Sequence, residues 1–308
     1  MIDFILVILS AQTIRIAMPY LFAALGGMFS ERGGVVNIGL EGILLGSAFS
    51  TVAVANATGS PWLGLLGGIA GGALIAMVHA IVTVIVKADQ IISGLAINML
   101  MFGGTKFLLK VLYGSASNSP RIGGIRMAGE SSGESGWVEA FIQLAQNPLV
   151  WIGIAVVILS HWVLFKSVFG LRLRAVGEHP EAAESAGVSV EKMRIAGVVL
   201  GGAVAGLGGA WLALDQHLFS AGMSNGRGYI ALAAMITGKW KPYGVVLACL
   251  LFGGAEGLQI HYQGRGGIPT ELLQTLPYVL TVIALCGFIG RAQAPAADGV
   301  PYEREKAL

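Results

Sequence analysis

Long apolar stretches, separated by short polar or glycine-rich intervals, run along almost the whole chain. A helix crossing a hydrocarbon core about 30 Å thick needs roughly 20 mostly apolar residues. That ruler predicts eight spans, near 12–29, 36–56, 62–86, 91–112, 148–165, 195–214, 243–261 and 272–290. A ninth stretch, Tyr229 to Gly238, is ten residues long and reaches only about 15 Å as a helix. It is therefore tilted, extended by flanking backbone, or a half-helix buried in protein, because irregular backbone facing lipid leaves its polar groups unsatisfied. The expectation is an all-α, polytopic membrane helix bundle of about nine crossings (eight to ten). It forms one transmembrane domain over 1–290, followed by a polar, Ala/Pro-rich tail over 291–308 expected to be unstructured.

Composition agrees with a membrane bundle. Of 308 residues, 55% are apolar and only 12% charged, half the charge of an average soluble domain. The net charge of +2 gives no basic field for nucleic acid. Cys249 and Cys286 lie in apolar runs, which excludes a disulfide scaffold and Cys-based metal motifs. His79, His161 and His261 stand at no metal-ligand spacing, and His79 reads as a packed, hydrogen-bonded ring. Asp3 and the lack of a basic leading segment predict no cleavable signal peptide.

Placing the loop 166–194 inside puts twelve of the nineteen Lys and Arg on the cytoplasmic side. By the positive-inside rule this predicts a multi-pass protein of the cell membrane with its N-terminus out and C-terminus in, provided that 229–238 crosses. The outer loop 113–147 carries Glu130, Glu134 and Glu139. Within 195–214, Gly197, Gly201, Ala205, Gly209 and Ala213 recur every fourth residue, and Gly67–Gly71 and Gly68–Gly72 do the same in the third span. Small residues at that spacing let helix backbones approach closely; gating is the alternative use.

Polar residues inside a bilayer are costly and tend to face a partner or a water-filled path. Asn37 and Glu41 lie one helical turn apart in GGVVNIGLEG, where Gly33, Gly34 and Gly39 loosen the backbone. Ser93 and Asn98 sit in IISGLAINML, and Glu256 and Gln259 share a face in FGGAEGLQI. Asn37, Glu41, Asn98, Glu256 and Gln259 are the candidates for a solute pathway. The structural alternatives are a Glu41–Arg32 pair and an interhelical bond from Asn98. Asp215, Gln216 and His217 read as an interfacial cap. No Walker A, HExxH or Ser/His/Asp arrangement is present, so nothing marks this chain as an enzyme.

The most specific stretch is GLRLRAVGEHPEAAESAGVSVEKMRIAG, Gly170 to Gly197. Pro180 suits the first helical position, Glu181 and Glu184 suit a positive N-terminal end, and Gly187 suits a C-terminal cap. A two-turn helix over Pro180–Ala186 follows, with Ala182, Ala183 and Ala186 small enough to enter a groove on another protein. Glu181-Ala182-Ala183 with Gly187 resembles the EAA-type coupling motif of bacterial ABC importer permeases. Val198, Val199 and Leu200 stand where many importers have Ile and Leu-Pro, as in the branch that includes ribose, branched-chain amino acid and nucleoside permeases.

Within that branch, SERGGVVNIGLEGILLGSAF (Ser30 to Phe49), QIISGLAINML and GRGYIALAAMITGKWKPYG are similar to the nucleoside subgroup linked to basic-membrane-lipoprotein-type receptors. The likeness runs from Arg15 to Ile289. It implies that Pro180, Glu181, Ala182, Ala183 and Gly187 dock on an ATPase subunit, which binds ATP and Mg²⁺, while this chain holds no cofactor. It also implies a second permease chain, a paralogue or a copy, and an extracytoplasmic solute-binding lipoprotein received by loops 113–147 and 215–228. The expected activity is ATP-driven import of nucleosides or similar small polar solutes. The alternatives are a sugar or branched-chain amino acid importer and, in another class, an ion-coupled secondary transporter.

Overall fold

The computed structural model describes residues 11–125, 144–263 and 293–303, with isolated positions 142, 272, 275, 279, 282 and 283. Ten helices follow one another among these residues, with no strands: α1 Ala11–Arg32, α2 Leu40–Thr58, α3 Pro61–Ala80, α4 Gln90–Tyr113, α5 Pro148–Lys166, α6 Val168–Glu178, α7 Pro180–Ser185, α8 Val190–Gln216, α9 Arg227–Thr237 and α10 Pro242–Tyr262. A single wide π-type turn, Ile81–Ile85, extends α3. Seven of the helices are long and apolar enough to span a membrane, and α9 is too short. The expected span 272–290 lies outside the described residues apart from those isolated positions, as do Glu130, Glu134 and Glu139. The sixth expected span is longer than its apolar run: α8 begins at Val190 and reaches 27 residues, about 40 Å.

Helix starts follow local chemistry. Asp89 accepts from the Ile92 N–H and caps α4, while Asn147 caps α5 ahead of Pro148 at its first position. α1 and α8 form the centre of the bundle, and α3, α4 and α5 turn apolar faces such as Leu74, Met99 and Ile158 outward. In water such an exposed surface would drive association; in a bilayer it is the lipid-facing wall.

Glycine sets how closely the central helices meet. A Cβ on Gly26 would lie 2.9 Å from the backbone nitrogen of Ala205, and one on Gly206 would lie 2.6 Å from the carbonyl oxygen of Gly68. Backbone-to-backbone approach of this kind gives dispersion contact that no larger residue permits. Gly68 and Gly72 of the α3 stripe and Gly197, Gly201 and Ala205 of the α8 stripe thus lie in the seam joining α3, α8 and α1, whereas Gly67 and Gly71 face Val54 and Ser50 of α2, and Gly209 faces Leu44 and Ser47 of α2.

The tail departs from expectation. Residues 293–303 lie against the loop helices: the Ala297 N–H donates to the Gly177 carbonyl at 2.9 Å, and Arg194 donates to the Val300 carbonyl at 2.8 Å. Asp298 sits among the charges of Glu31 on α1 and Arg194 on α8, and burial pushes its carboxyl up to about 7. Undocked, a carboxyl titrates near 4, so between about pH 4 and 7 the docked tail holds a proton that the free tail lacks. Docking is therefore expected to weaken as pH rises from 4 through 7 and then to level off. A spin label at position 300 should be more mobile at pH 8 than at pH 5.5, and Asp298→Asn should remove the difference; equal mobility at both values would refute this.

Candidate functional site

Between α1 and α2 the chain leaves the helix, and the side chains of α3 and α4 hold it. The Val36 N–H donates to Gln90 Oε1 at 2.7 Å, and the Val36 carbonyl lies 3.0 Å from His79 Nε2. The other nitrogen of His79 meets Ser93 Oγ at 2.9 Å, so His79 is the packed, bonded ring expected. Asn98 donates to the Ile38 carbonyl and to the Tyr229 hydroxyl, each at 3.0 Å, and accepts from the Gly42 N–H at 2.7 Å. It thereby ties α4 to the start of α2 and to α9.

Asn37 does not share a helical face with Glu41, because α2 begins only at Leu40, after Gly39. Its amide is fully buried, with no hydrogen-bond partner on either atom among the described residues. An unpaired buried amide is costly and marks the place where a water or solute group is best received.

Glu41 is also fully buried, yet its oxygens accept from the Gly226 N–H at 2.8 Å and the Gly228 N–H at 2.7 Å. It therefore caps the N-terminus of α9 from another helix, where the helix dipole favours a carboxylate. Gly226, with φ +80°, needs the left-handed conformation that glycine adopts without strain. Leu40 packs at Gly27, and Leu44 packs at Gly208, which faces Pro19. Glu41 is thus level with the middle of α1. The far end of α9 reaches the end of α1, where Arg32 donates to the Trp240 carbonyl at 2.9 Å and Trp240 Nε1 donates to Glu31 at 2.7 Å. The short stretch is therefore a buried half-helix with its N-terminus at mid-bundle. Arg32 is engaged there, and the expected pairing of Arg32 with Glu41 is not made.

Glu256 pairs with Arg227 at 2.9 Å, the two side chains 16% and 18% exposed, and also accepts from the Tyr20 hydroxyl. Gln259, one turn further, is half-buried. Arg227 lines a cavity of about 440 Å³, within the size range of small-molecule sites. Trp211 and Ile16 form part of its wall, and Arg15, Asp215 and His217 lie toward its mouth. The Arg15–Asp215 pair, 2.8 Å apart and 54% and 28% exposed, is wet and contributes little to stability. Asp215 and His217 thus line a polar cavity rather than only capping α8. Beside it, segments of the two loops expected to receive a receptor lie together, with the Ser119 N–H donating to the Phe219 carbonyl at 2.9 Å and the Ala221 N–H to the Ser117 carbonyl at 2.8 Å.

At the opposite end, α7 runs Pro180–Ser185, with Pro180 at its start and Ala186 as C-cap. Gly187 follows at φ +81°, and the Val188 N–H returns to the Ala183 carbonyl at 3.0 Å, the glycine-terminated end the sequence predicts. The three alanines divide: Ala182 and Ala186 are exposed, whereas Ala183 is buried against Val176 and Val190. Sequence reasoning missed Arg227 and Tyr20 as partners of Glu256, Tyr229 as a partner of Asn98, and Gln90 as the acceptor that holds the Val36 N–H. Their only signal is a polar residue within or beside an apolar run.

Residues 9–285 match the family model described as "Branched-chain amino acid transport system / permease component". The chain is 41% identical to the guanosine ABC transporter permease protein NupQ of Bacillus subtilis, over 98% of both chains. It is likewise 41% identical to the nucleoside ABC transporter permease protein NupC of Lactococcus lactis, over 97% of this chain and 98% of the relative. A putative glucose ABC transporter permease protein, TsgC13 of Haloferax volcanii, is 32% identical over 95% and 96%.

Proposed function

Since the chain belongs to the branched-chain amino acid transport system / permease component family and is a permease subunit of an ABC transporter, we propose that it carries nucleosides into the cell. The observation that carries the solute class is end-to-end 41% identity to two permeases named for guanosine and nucleosides, against 32% to one named for glucose. The geometry supports the reading. A nucleoside offers a hydroxyl-bearing ribose and a base edge, and the cavity offers Asp215, His217 and Arg227 as donors and acceptors beside the indole of Trp211.

In this reading the receptor releases solute at the mouth between Arg15 and Asp215. The solute moves past Gln259 toward Arg227 and Glu256 and then past the half-helix α9, with Asn37, Glu41 and Asn98 beside the lower path. Broken helices with an N-terminus near the bilayer midplane are a recurrent way to present polar groups to solutes. The α7 end faces the cytoplasm and the cavity mouth faces out. ATP with Mg²⁺ is bound and hydrolysed by a partner ATPase that grips Pro180, Glu181, Ala182, Ala183 and Gly187. A second permease chain completes the translocation unit. Nucleotide-driven motion of α7 passes into α6 and α8 and shifts the balance between outward-open and inward-open states.

The test is uptake of a labelled nucleoside by the assembled transporter with its receptor. A hundredfold excess of unlabelled nucleosides should abolish it, whereas glucose or leucine at that excess should not. Glu181→Lys and Gly187→Leu should each lower uptake at least about tenfold, a loss of about 1.4 kcal/mol of coupling, and a protonophore should leave the initial rate unchanged. Competition by glucose and not by nucleosides would overturn the solute class.

A further inference from the structure

We propose that residues 293–303 form part of the ATPase-docking surface, with Tyr302 and Arg194 as positioning residues that hold α7 in its docking geometry. This rests on α7 being the coupling helix. A helix of six residues does not hold its shape in water, since nucleation consumes most of what its few bonds return. Its stability must come from what it packs on, yet Ala183 is its only buried residue.

Ala183 sits in a small cluster with Val176 and Val190, and the ring of Tyr302 packs against that cluster. The Tyr302 hydroxyl also bonds Glu184 on α7. Upstream, the tail is held by its backbone. The Ala296 N–H donates to Glu178 Oε2 at 3.2 Å, the Ala297 N–H to the Gly177 carbonyl at 2.9 Å, and the almost wholly buried Arg194 to the Val300 carbonyl at 2.8 Å.

A Cβ on Gly34, in the joint between α1 and α2, would lie 3.0 Å from both the Ala297 carbonyl oxygen and an Arg194 nitrogen. The tail therefore links α7 to α6, to α8 and to the joint that precedes Asn37 and Glu41. Displacement of α7 is conveyed to the joint through this strap as well as through α8.

The outward side of the strap extends the docking face. Val300 is 55% exposed, Pro301 is exposed beside it, and Glu303 is exposed just beyond Tyr302, as Ala182, Ala186 and Glu181 are on α7. Small apolar groups bordered by carboxylates fit an apolar groove with a basic rim on the ATPase subunit. Continuity of this face with the coupling helix, through Tyr302 on the Ala183 cluster, selects that subunit as the occupant.

In the assembled transporter, Tyr302→Ala is expected to lower uptake at least about tenfold at unchanged permease level, while ATP hydrolysis persists. Tyr302→Phe, which keeps the ring, should retain at least half of the uptake. A photo-crosslinking residue at position 300 should capture the ATPase subunit, as one at 182 should, and one at the lipid-facing position 158 should not. Normal uptake by folded Tyr302→Ala, or capture from 182 with none from 300, overturns the strap and leaves the coupling helix standing. Capture from neither position overturns both. Should Tyr302→Ala fail to accumulate, the crosslink from position 300 in an otherwise unaltered chain decides.

Discussion

Glu41→Ala is expected to reduce nucleoside uptake by at least about 100-fold and to lower the yield of folded permease. The substitution leaves the Gly226 and Gly228 N–H groups, each now held by a carboxylate oxygen, without partners in the middle of the bundle. A buried donor that loses its acceptor costs about 1–3 kcal/mol, and no bulk water is at hand in a membrane interior to replace it. Two such groups amount to roughly 2–6 kcal/mol, enough to detach the N-terminus of α9 from α2. Glu41→Gln keeps one acceptor oxygen but turns its NH₂ toward an N–H, so it should fall between wild type and alanine. The measurement is uptake per molecule of monodisperse permease after reconstitution. Wild-type uptake by Glu41→Ala would show that α9 is held without this cap, by its apolar side and the Asn98–Tyr229 bond.

Glu41 also illustrates what the sequence could and could not disclose. A carboxylate within an apolar span announces a partner, because its burial alone is so unfavourable. The partner stands 185 and 187 positions away and is a pair of backbone N–H groups, which carry no residue-type signature at all. The local alternatives, Asn37 at one turn and Arg32 nearby, both fail for a reason visible only in three dimensions: Gly39 delays α2 until Leu40, and Arg32 is taken by the Trp240 carbonyl. Glu256 is similar. Its face was legible, but its cation, Arg227, lies across a loop from the helix that carries Glu256, so charge counting assigns it to the outer surface.

The long helices were legible because a bilayer imposes a length on hydrophobic runs, and α7 because proline, acidic and glycine positions mark both of its ends. The half-helix was legible as an anomaly of length, though not in its depth. The tail was misread for a definite reason. Ala, Pro and Gly offer no large side chain to bury, so composition predicts disorder, whereas its docking uses backbone N–H and carbonyl groups toward Gly177 and Arg194 and a single ring, Tyr302.

Glycine substitutions should separate the packing seam from the open surface, with opposite signs for the same chemical change. At Gly72 a Cβ would clash with the Gly202 carbonyl oxygen and lie 2.7 Å from the Gly206 Cα and 3.0 Å from its nitrogen. All three are backbone atoms of α8 and cannot rotate away, so Gly72→Ala must push α3 from α8. Overpacking of this kind costs about 1–3 kcal/mol, and at about 2–4 °C per kcal/mol for a chain of this size the midpoint of thermal unfolding should fall by several degrees. Gly103 lies inside α4 with no atom within 4 Å of its built Cβ, and alanine there gains up to about 1 kcal/mol of helix propensity. Gly103→Ala in the isolated permease should therefore raise the midpoint by a few degrees. Because the isolated chain is measured, any contact of α4 with the proposed second permease chain does not enter, and a drop confined to the assembled transporter would place a partner chain against Gly103. A fall at both positions in the isolated chain would mean that glycine serves backbone flexibility throughout this bundle, and the close approach of α3 to α8 would lose its standing as the reason for Gly72.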